Sequence, residues 1–483
     1  MRIRRTTVWS LSLLTLAFAT RCRDREAAPQ ERIVVTRTIP GGAAEEAGLL
    51  AGDRVIAFRR AANPPANPNS FARPITSCLD LVLTEIEQAP RGASELDIER
   101  PRAGAKPRRI TVPLPHDLWR IRCRFETPST AAAKLWEPLA QAQEHVDQHQ
   151  KEEADPAFYR AEAAARKAQD EHLLALVLDQ RSLFRIETNR FAEAIADARA
   201  AIEIRARIAP DSLELAQSHA TLGLALTERR ENDAALPELE GVVQVRSAQA
   251  PGSLSLAQGQ QLLGRLVSRR EDLERAEKLF SAAYETVLAR APESRLSGTL
   301  AMNLGVLERH RNLFDVAEAH QRRALAIFRR VDPEAPIVAD VLINLSVIAT
   351  QRGDLVKAEG FLRSSLDFLR ERSPGGPGEA AALANLGIIQ LFRADFAASE
   401  TNLLAALERF EALSPNNLSS ARALTNLSTV ARALEANDRA ERYATRALAI
   451  HRNVEPDSEI LAYDLAILAE IAGKRGQVPL ARQ

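Results

Sequence analysis

Apolar residues recur at helical spacing along most of the chain. Within residues 337–351 they line one face of a predicted amphipathic helix, which Gly353 ends. Asp354 can then cap a second helix over 355–370, and Pro374 prevents that helix from continuing. The pattern therefore predicts pairs of helices that are joined by short turns.

The helix pair repeats with a period of 41 residues. An Asn-Leu-Gly or Asn-Leu-Ser triplet marks the first helix of four copies, and it begins at Asn303, Asn344, Asn385 and Asn426. A proline recurs after the second helix, at Pro210, Pro251, Pro292, Pro333, Pro374, Pro415 and Pro456. An alanine recurs within the second helix, at Ala194, Ala235, Ala276, Ala317, Ala358 and Ala440. Three ladders with one period predict a mainly α-helical solenoid over 180–483, whose last copy is incomplete.

These ladders resemble the tetratricopeptide repeat family, in the long-repeat form of the kinesin light chains. The resemblance implies a superhelix whose first helices line a concave channel. In several relatives the asparagine of the triplet grips the backbone of an extended peptide, because an amide offers both a donor and an acceptor. The peptide-binding face that the resemblance implies contains Asn303, Asn344, Asn385, Asn426, Val306, Val347, Ile388 and Phe392. The alternative is that the amides hydrogen-bond within the stack.

Residues 31–125 have a mixed pattern that predicts a small α+β domain ahead of the repeats. Its predicted strands are 33–35, 54–58, 96–100 and 109–114, and its predicted helices are 43–47 and 75–88. The stretch from Pro40 to Leu49 and the following Gly52-Asp53-Arg54-Val55-Ile56 resemble a bacterial PDZ domain.

The PDZ resemblance implies a module that binds an extended C-terminal peptide by adding it to the sheet as a strand. A charged stretch, 23–32, occupies the place of the family's carboxylate-binding loop, so a structural or docking role is the alternative. Residues 126–179 are expected to form irregular helices that cap the solenoid.

Residues 1–19 have the layout of a secretory signal peptide. Three arginines precede an apolar run, and Ala17-Phe18-Ala19 offers a cleavage site that would make Thr20 the first mature residue. Residues 20–30 would then be a linker. Lipidation at Cys22 is the less favoured alternative, because Arg21 precedes the cysteine.

The rest of the chain is expected to be exported to the periplasm or cell envelope of a bacterium. No second apolar run is long enough to span a bilayer, which predicts a mature chain without a membrane span. Lys+Arg and Asp+Glu number 64 each, and this balance argues against nucleic acid as the partner, since phosphate binding needs a basic surplus.

The sequence offers little candidate chemistry beyond binding. The histidines are scattered, and none lies beside a cysteine in a nucleophile-like context. His145 and His149 share a helix face, but a third zinc ligand is missing. Cys78 and Cys123 could pair in an exported protein, although two separate, half-buried thiols are the favoured interpretation. No catalytic residue, metal site or cofactor is predicted.

The predicted function is therefore a non-catalytic scaffold that binds peptide or protein segments in the groove of the solenoid, with an auxiliary PDZ-like module. Gln483 falls where the second helix of the last copy should begin, which would leave the stack uncovered. The open end could support self-association. Alternatively, the chain is the sensor and substrate-recruiting part of a longer exported protease, whose C-terminal effector domain would be of the caspase-like CHAT type by analogy with other bacterial long-repeat arrays.

Overall fold

The computed structural model describes residues 31–474, with gaps at 41, 103–104, 116, 118, 120, 149, 373 and 455–458. The predicted signal peptide and linker, Cys22 and the predicted end of the last repeat lie outside these residues. Within them the chain folds into a small antiparallel sheet, followed by a long array of helices that pack in sequential pairs. The prediction of a mainly α-helical solenoid behind a small α+β region is confirmed.

The N-terminal part combines one sheet with two helices in the described residues. The strands are β1 (Ile33–Thr38), β2 (Arg54–Arg60), β3 (Phe71–Pro74), β4 (Ser94–Arg102), β5 (Ala105–Leu114) and β6 (Ile121–Phe125), and the helices are α1 (Ala43–Glu46) and α2 (Cys78–Glu87). The strand order is β5-β4-β2-β1-β6, β3 pairs with β2, and all pairs are antiparallel. β3 and β6 were not among the predicted strands. Only alternate residues of β6 are buried, so it has no continuous apolar run.

The sheet shares a core with the first helices of the array. α3 (Ala131–Asp147) packs against β6, and the Trp136 indole N–H donates a 3.3 Å hydrogen bond to the Cys123 carbonyl. α4 (Lys151–Ala168) pairs with α3. Buried Phe58 of the sheet belongs to the same hydrophobic cluster as Phe158 of α4 and Phe184 beyond it. The sheet is therefore packed onto the start of the helical array.

The helices beyond α4 follow the 41-residue period. They are α5 (Glu171–Glu187), α6 (Phe191–Ile208), α7 (Leu213–Glu228), α8 (Asn232–Gln249), α9 (Leu254–Arg269), α10 (Leu273–Arg290), α11 (Arg295–His310), α12 (Phe314–Val331), α13 (Ile337–Gln351), α14 (Leu355–Arg372), α15 (Pro377–Phe392), α16 (Phe396–Leu413), α17 (Leu418–Ala433), α18 (Asn437–Val454) and α19 (Glu459–Lys474). Odd-numbered members are the first helices of repeats. From α5 to α17 each packs on its own second helix and on the preceding one, and α19 packs on α18. The first pair begins at Glu171, ahead of residue 180, where the repeats were predicted to start.

The turn inside each repeat contains a residue with positive φ. These residues are Asn189, Arg230, Glu271, Asn312, Gly353, Ala394 and Glu435, and their φ angles lie between 57° and 80°. A left-handed residue after a helix satisfies its last carbonyl groups and lets the chain reverse. Only Gly353 adopts this conformation without a Cβ penalty, so the other copies rely on the packing of the repeat to hold the turn.

Small residues bring the two helices of a repeat together, as the triplet pattern predicts. A Cβ atom added to Gly264 would lie 2.6 Å from Phe280 Cε1, which leaves no room for any side chain. Ser399, the exception in the alanine ladder, donates a 2.7 Å hydrogen bond to the Gly387 carbonyl. Ser428 makes the equivalent 2.8 Å bond to the Ala440 carbonyl.

A ladder of ion pairs that was not among the sequence-based predictions joins successive repeats. An arginine just after a first helix reaches a glutamate in the second helix of the preceding repeat. The pairs are Arg311 with Glu277, Arg352 with Glu318, and Arg393 with Glu359. Both members recur every 41 residues, so each pair links one repeat to the next at the same place.

Candidate binding face

The first helices of successive repeats present one common face. In α13, Val341, Leu345 and Ile348 are buried, whereas Asn344 and Val347 are half-buried. Val341 and Leu345 belong to a core that residues of the second helix α12 complete. Because α11, α13, α15 and α17 contact one another side by side, their half-buried residues form a continuous surface. We call this surface the amide face and define it by Asn303, Val306, Asn344, Val347, Asn385, Ile388, Asn426 and Thr429.

The asparagines of the amide face make few hydrogen bonds within the protein. Asn344 Nδ2 donates to Gln321 Oε1 at 3.5 Å, which is at the outer limit for a hydrogen bond. Asn303 Nδ2 is buried without an acceptor. The side chains of Asn385 and Asn426 form no hydrogen bond with any described residue. Three of the four amides therefore keep unused hydrogen-bonding capacity.

Apolar side chains lie beside these amides. Val306, Val347 and Ile388 are half-buried about one helical turn after their asparagines. Phe392 lies two turns after Asn385, at the end of α15, and is 61% exposed. All eight predicted site residues thus lie on first helices, and their role in binding stays a prediction.

Three ionisable residues lie close to the amide face, and sequence reasoning missed them. Asp340 precedes Asn344 by one turn, and partial desolvation raises the pKa of its carboxyl although the side chain keeps contact with solvent. Arg309 and His310 end α11, where Arg309 Nη2 lies 2.9 Å from His310 Nε2. Burial lowers the pKa of both groups, and the neighbouring Arg309 lowers that of His310 further. Asp340 thus introduces a partly desolvated carboxylate into a face made of amides and apolar groups.

A second functional arrangement lies where the N-terminal domain meets the repeats. Glu87 Oε2 accepts a 2.8 Å hydrogen bond from the backbone N–H of Leu213, the first residue of α7. Asp117 accepts 2.9 Å bonds from the N–H groups of Leu254 and Ser255, at the start of α9. Free N–H groups and the helix dipole both favour a carboxylate at these positions. Two carboxylates of the domain therefore hold the N-termini of two adjacent first helices.

Polar side chains complete this contact. Arg91 Nη2 donates to Gln249 Oε1 at 2.6 Å, and Asn67 Nδ2 donates to the Gln249 carbonyl at 2.7 Å. The buried Arg246 lies close enough to Asp117 to feel its charge, although burial still lowers the pKa of Arg246 to about 10. No local sequence signal marks these contacts, since the partners are more than one hundred residues apart.

The cysteines also differ from the favoured expectation. Cys78 and Cys123 are not separate and half-buried, because their side chains are 0% and 6% exposed and lie next to each other. The fold packs α2 against β6, and this packing brings the two residues together. The sequence could not show this contact, because β6 was not among the predicted strands.

The described residues contain neither a membrane-spanning helix nor a cluster of metal ligands. No helix in the described part of the chain is long and apolar enough to cross a membrane. Between 31 and 474, outside the gaps, no group of three or more His, Cys, Asp or Glu side chains is placed to hold a metal ion. His145 Nδ1 instead lies 2.6 Å from Gln150 Oε1, and His149 lies outside the described residues.

Comparison with known proteins adds independent information on the repeats. Residues 296–371 and 372–453 match a tetratricopeptide repeat family model. No curated protein matches the chain.

Among solved structures, a signal-transduction ATPase (STAND) protein of Pyrococcus horikoshii, PH0952, which has a tetratricopeptide repeat sensor, is 14% identical with a TM-score of 0.52. The match covers 71% of this chain and 50% of that one, so the chain spans half the length of that protein. The apo quorum sensor NprR of B. thuringiensis is 11% identical with a TM-score of 0.50, covering 67% of this chain and 89% of that one. BtubC of P. vanneervenii is 21% identical with a TM-score of 0.39, covering 48% of this chain and 93% of that one. Residues 296–453 thus form tetratricopeptide repeats, and the helices on either side continue a similar array of helix pairs.

Proposed function

We propose that this chain binds extended peptide or protein segments along the amide face. The observation that carries the proposal is the set of four amides at one position of four adjacent first helices, three of which lack a partner in the stack. An amide can donate to a peptide carbonyl and accept from a peptide N–H, so it suits a backbone of any sequence. The amides of Asn385 and Asn426 are half-buried and unpaired within the stack, so their donors and acceptors are available to a peptide backbone.

The geometry of the repeat suits an extended ligand. Packed helices lie about 10 Å apart, and an extended chain advances about 3.3 Å per residue. One amide would therefore meet roughly every third residue of a peptide that runs across the repeats. The apolar side chains Val306, Val347 and Ile388 would contact ligand side chains between the amides, and Phe392 would extend this apolar contact. The partly desolvated carboxyl of Asp340 would favour a ligand with a basic group nearby.

The N-terminal domain is proposed to be a PDZ-like module whose main role is docking. The order of its strands and helices, with α2 between β3 and β4, supports this interpretation. The outer edge of β6 faces α3, and the Trp136 bond to Cys123 uses one of its carbonyls. The carboxylates Glu87 and Asp117 engage the repeats instead of solvent. These contacts favour a domain that sets the geometry of the first repeats.

The binding role is proposed to be non-catalytic, with protein or peptide partners and without nucleic acid. The STAND protein has a tetratricopeptide repeat sensor, and NprR is a quorum sensor. Both descriptions are consistent with a repeat array that recognises a ligand. The runner-up is that the chain recruits substrates for a longer exported protease. A peptidase domain in the native protein would distinguish this alternative.

Export is part of the same proposal. Residues 1–19 would be removed as a signal peptide, so that the mature protein begins at Thr20 in the periplasm or cell envelope. The intact mass of the protein purified from the envelope of its own host tests this point. A mature chain that retains residues 1–19 would contradict cleavage, and a mass well beyond that of 20–483 would support the longer protease.

The test of the binding face uses a random peptide library displayed on phage and selected on the full chain. Peptides selected on the wild type should bind the Asn344→Ala/Asn385→Ala variant at least tenfold more weakly, since two backbone-gripping amides are lost. Asn402→Ala is the matched control, because Asn402 lies on the second helix α16 and its amide donates a hydrogen bond to Gln390 of α15 within the stack. It should leave the affinity unchanged. Equal affinity of the double variant and the wild type would exclude the amide face as the binding site.

A further inference from the structure

Cys78 and Cys123 come from distant parts of the sequence and meet in the core of the N-terminal domain. Cys78 is the first residue of α2, and Cys123 is the central residue of β6. Both side chains are buried, and the two thiols lie close enough for Cys123 to influence the ionisation of Cys78. Both residues are free thiols in the structure.

Both thiols lie in the same apolar environment. They belong to one hydrophobic cluster together with Ile33, Leu81 and Phe125. A free thiol packs as a small apolar group, so burial alone needs no special explanation. The proximity of the two thiols is the informative point, because an unstrained disulfide requires two cysteines whose backbones lie close together in the folded protein. α2 and β6 meet that requirement.

We propose that Cys78 and Cys123 are joined by a disulfide bond that forms as the N-terminal domain folds. The oxidant is another disulfide, either a small-molecule disulfide or that of a thiol oxidase protein. The thiolate of one cysteine attacks this disulfide and forms a mixed disulfide, and one thiol leaves. The second cysteine attacks the mixed disulfide at the protein sulfur, the Cys78–Cys123 bond forms, and a second thiol leaves. The two protons of the cysteines end on the two leaving thiols, and the external disulfide is reduced.

Burial determines when this exchange occurs. Desolvation and the neighbouring Cys123 raise the pKa of Cys78, so the reactive thiolate is scarce in the folded, reduced protein. The reduced native protein should therefore react slowly with external disulfides. During folding, before α2 closes over β6, both thiols are accessible and the exchange is fast. The finished bond would tie α2 to the sheet, and the same helix ends at Glu87, which holds α7.

The experiment uses the full chain with Cys22→Ser, so that only the two buried cysteines remain. The protein is unfolded in denaturant with reductant, refolded in a buffer of reduced and oxidised glutathione, denatured again and treated with a maleimide. A disulfide predicts an intact mass about 2 Da below the reduced form, no maleimide adduct, and a proteolytic fragment that joins the peptides of Cys78 and Cys123. The oxidised protein should also melt several degrees higher than the reduced form, since the bond closes a long loop.

Two further samples make the outcome unambiguous. Cys22→Ser/Cys78→Ser should take up one maleimide after the same treatment, which shows that Cys123 finds no other partner. The folded, reduced Cys22→Ser protein should form the bond much more slowly than the refolding chain. Two maleimide adducts on the refolded Cys22→Ser protein, or glutathione retained on either cysteine, would overturn the proposal.

Discussion

The carboxylate of Asp117 accepts hydrogen bonds at 2.9 Å from the backbone N–H of Leu254 and from that of the next residue. The acceptor belongs to the loop after β5, and the donors begin a helix of the third repeat. Glu87 makes the equivalent contact one repeat earlier, at Leu213. The two carboxylates are thus matched to the 41-residue spacing of the first helices.

Asp117→Ala is expected to weaken this contact by about 2 kcal/mol, because it leaves two helix N–H groups unpaired and removes the negative charge beside the buried Arg246. Hydrogen exchange should become faster at the start of α9 and in the adjacent N-terminal domain. Glu95→Ala is the control, since Glu95 is exposed on β4 and, among the described residues, forms an ion pair with Arg59 alone. Unchanged exchange at α9 in the Asp117 variant would show that the carboxylate does not hold the helix.

Gly264→Ala is expected to destabilise the repeats by about 2 kcal/mol, because the new Cβ would lie 2.6 Å from the Phe280 ring and force it to move. Gly241→Ala is the matched control on a helix, since a Cβ atom at Gly241 would meet nothing within 4 Å. It should instead stabilise the protein by roughly 0.5–1 kcal/mol through helix propensity. Denaturant unfolding followed by circular dichroism measures both. If both substitutions changed the free energy of unfolding in the same direction, close packing at Gly264 would be contradicted.

Asp340→Asn is expected to raise the melting temperature at pH 7 and to leave it unchanged near pH 3. The pKa of Asp340 is raised in the folded state by desolvation, so folding favours the protonated form. The stability that this group contributes is present below its ordinary pKa and is lost as the pH rises through the folded value. An Asn side chain does not ionise, so the variant does not lose this stability as the pH rises. Asp367→Asn, at an exposed position of α14, is the control. It should melt at the same temperature as the wild type at both pH values. A destabilised Asp340 variant at pH 7 would mean that the carboxylate has a stabilising partner.

Arg352→Met is expected to lower stability at pH 7 by about 1 kcal/mol, because Arg352 joins the poorly exposed Glu318 to the next repeat. Hydrogen bonding from Lys357 and the charges of Arg322, Lys357 and Arg352 lower the pKa of Glu318. The stability from this carboxylate is therefore present above its ordinary pKa and is lost as the pH falls.

The difference between wild type and Arg352→Met should accordingly shrink below about pH 4, where the carboxylate gains a proton. Arg363→Met is the comparison, since Arg363 pairs with Glu359 within a single helix and joins no repeats. Arg363→Met should lower the stability at pH 7 by less than Arg352→Met does. A pH-independent difference at Arg352 would assign the effect to lost packing of the arginine stem.

The repeats were predictable because their information is local and recurs. Each copy restates the same spacing of apolar residues, small residues and prolines, so the period of 41 and the helix pairs follow from near neighbours alone. The positions of Asn303, Asn344, Asn385 and Asn426 on successive first helices follow from the same ladder. The positive φ turns were predictable only at Gly353. The other copies adopt the same conformation with residue types that do not normally favour a positive φ.

Contacts between distant segments were decided only by the tertiary structure. The ladder of Arg311, Arg352 and Arg393 was visible as a period, but its acidic partners become evident only when one repeat is stacked on the next. β6, the contact of Cys78 with Cys123, and the hold of Glu87 and Asp117 on α7 and α9 have no local pattern at all. The physical reason is that helix periodicity acts over a few residues, whereas strand pairing and carboxylate capping depend on partners that only the folded chain brings together.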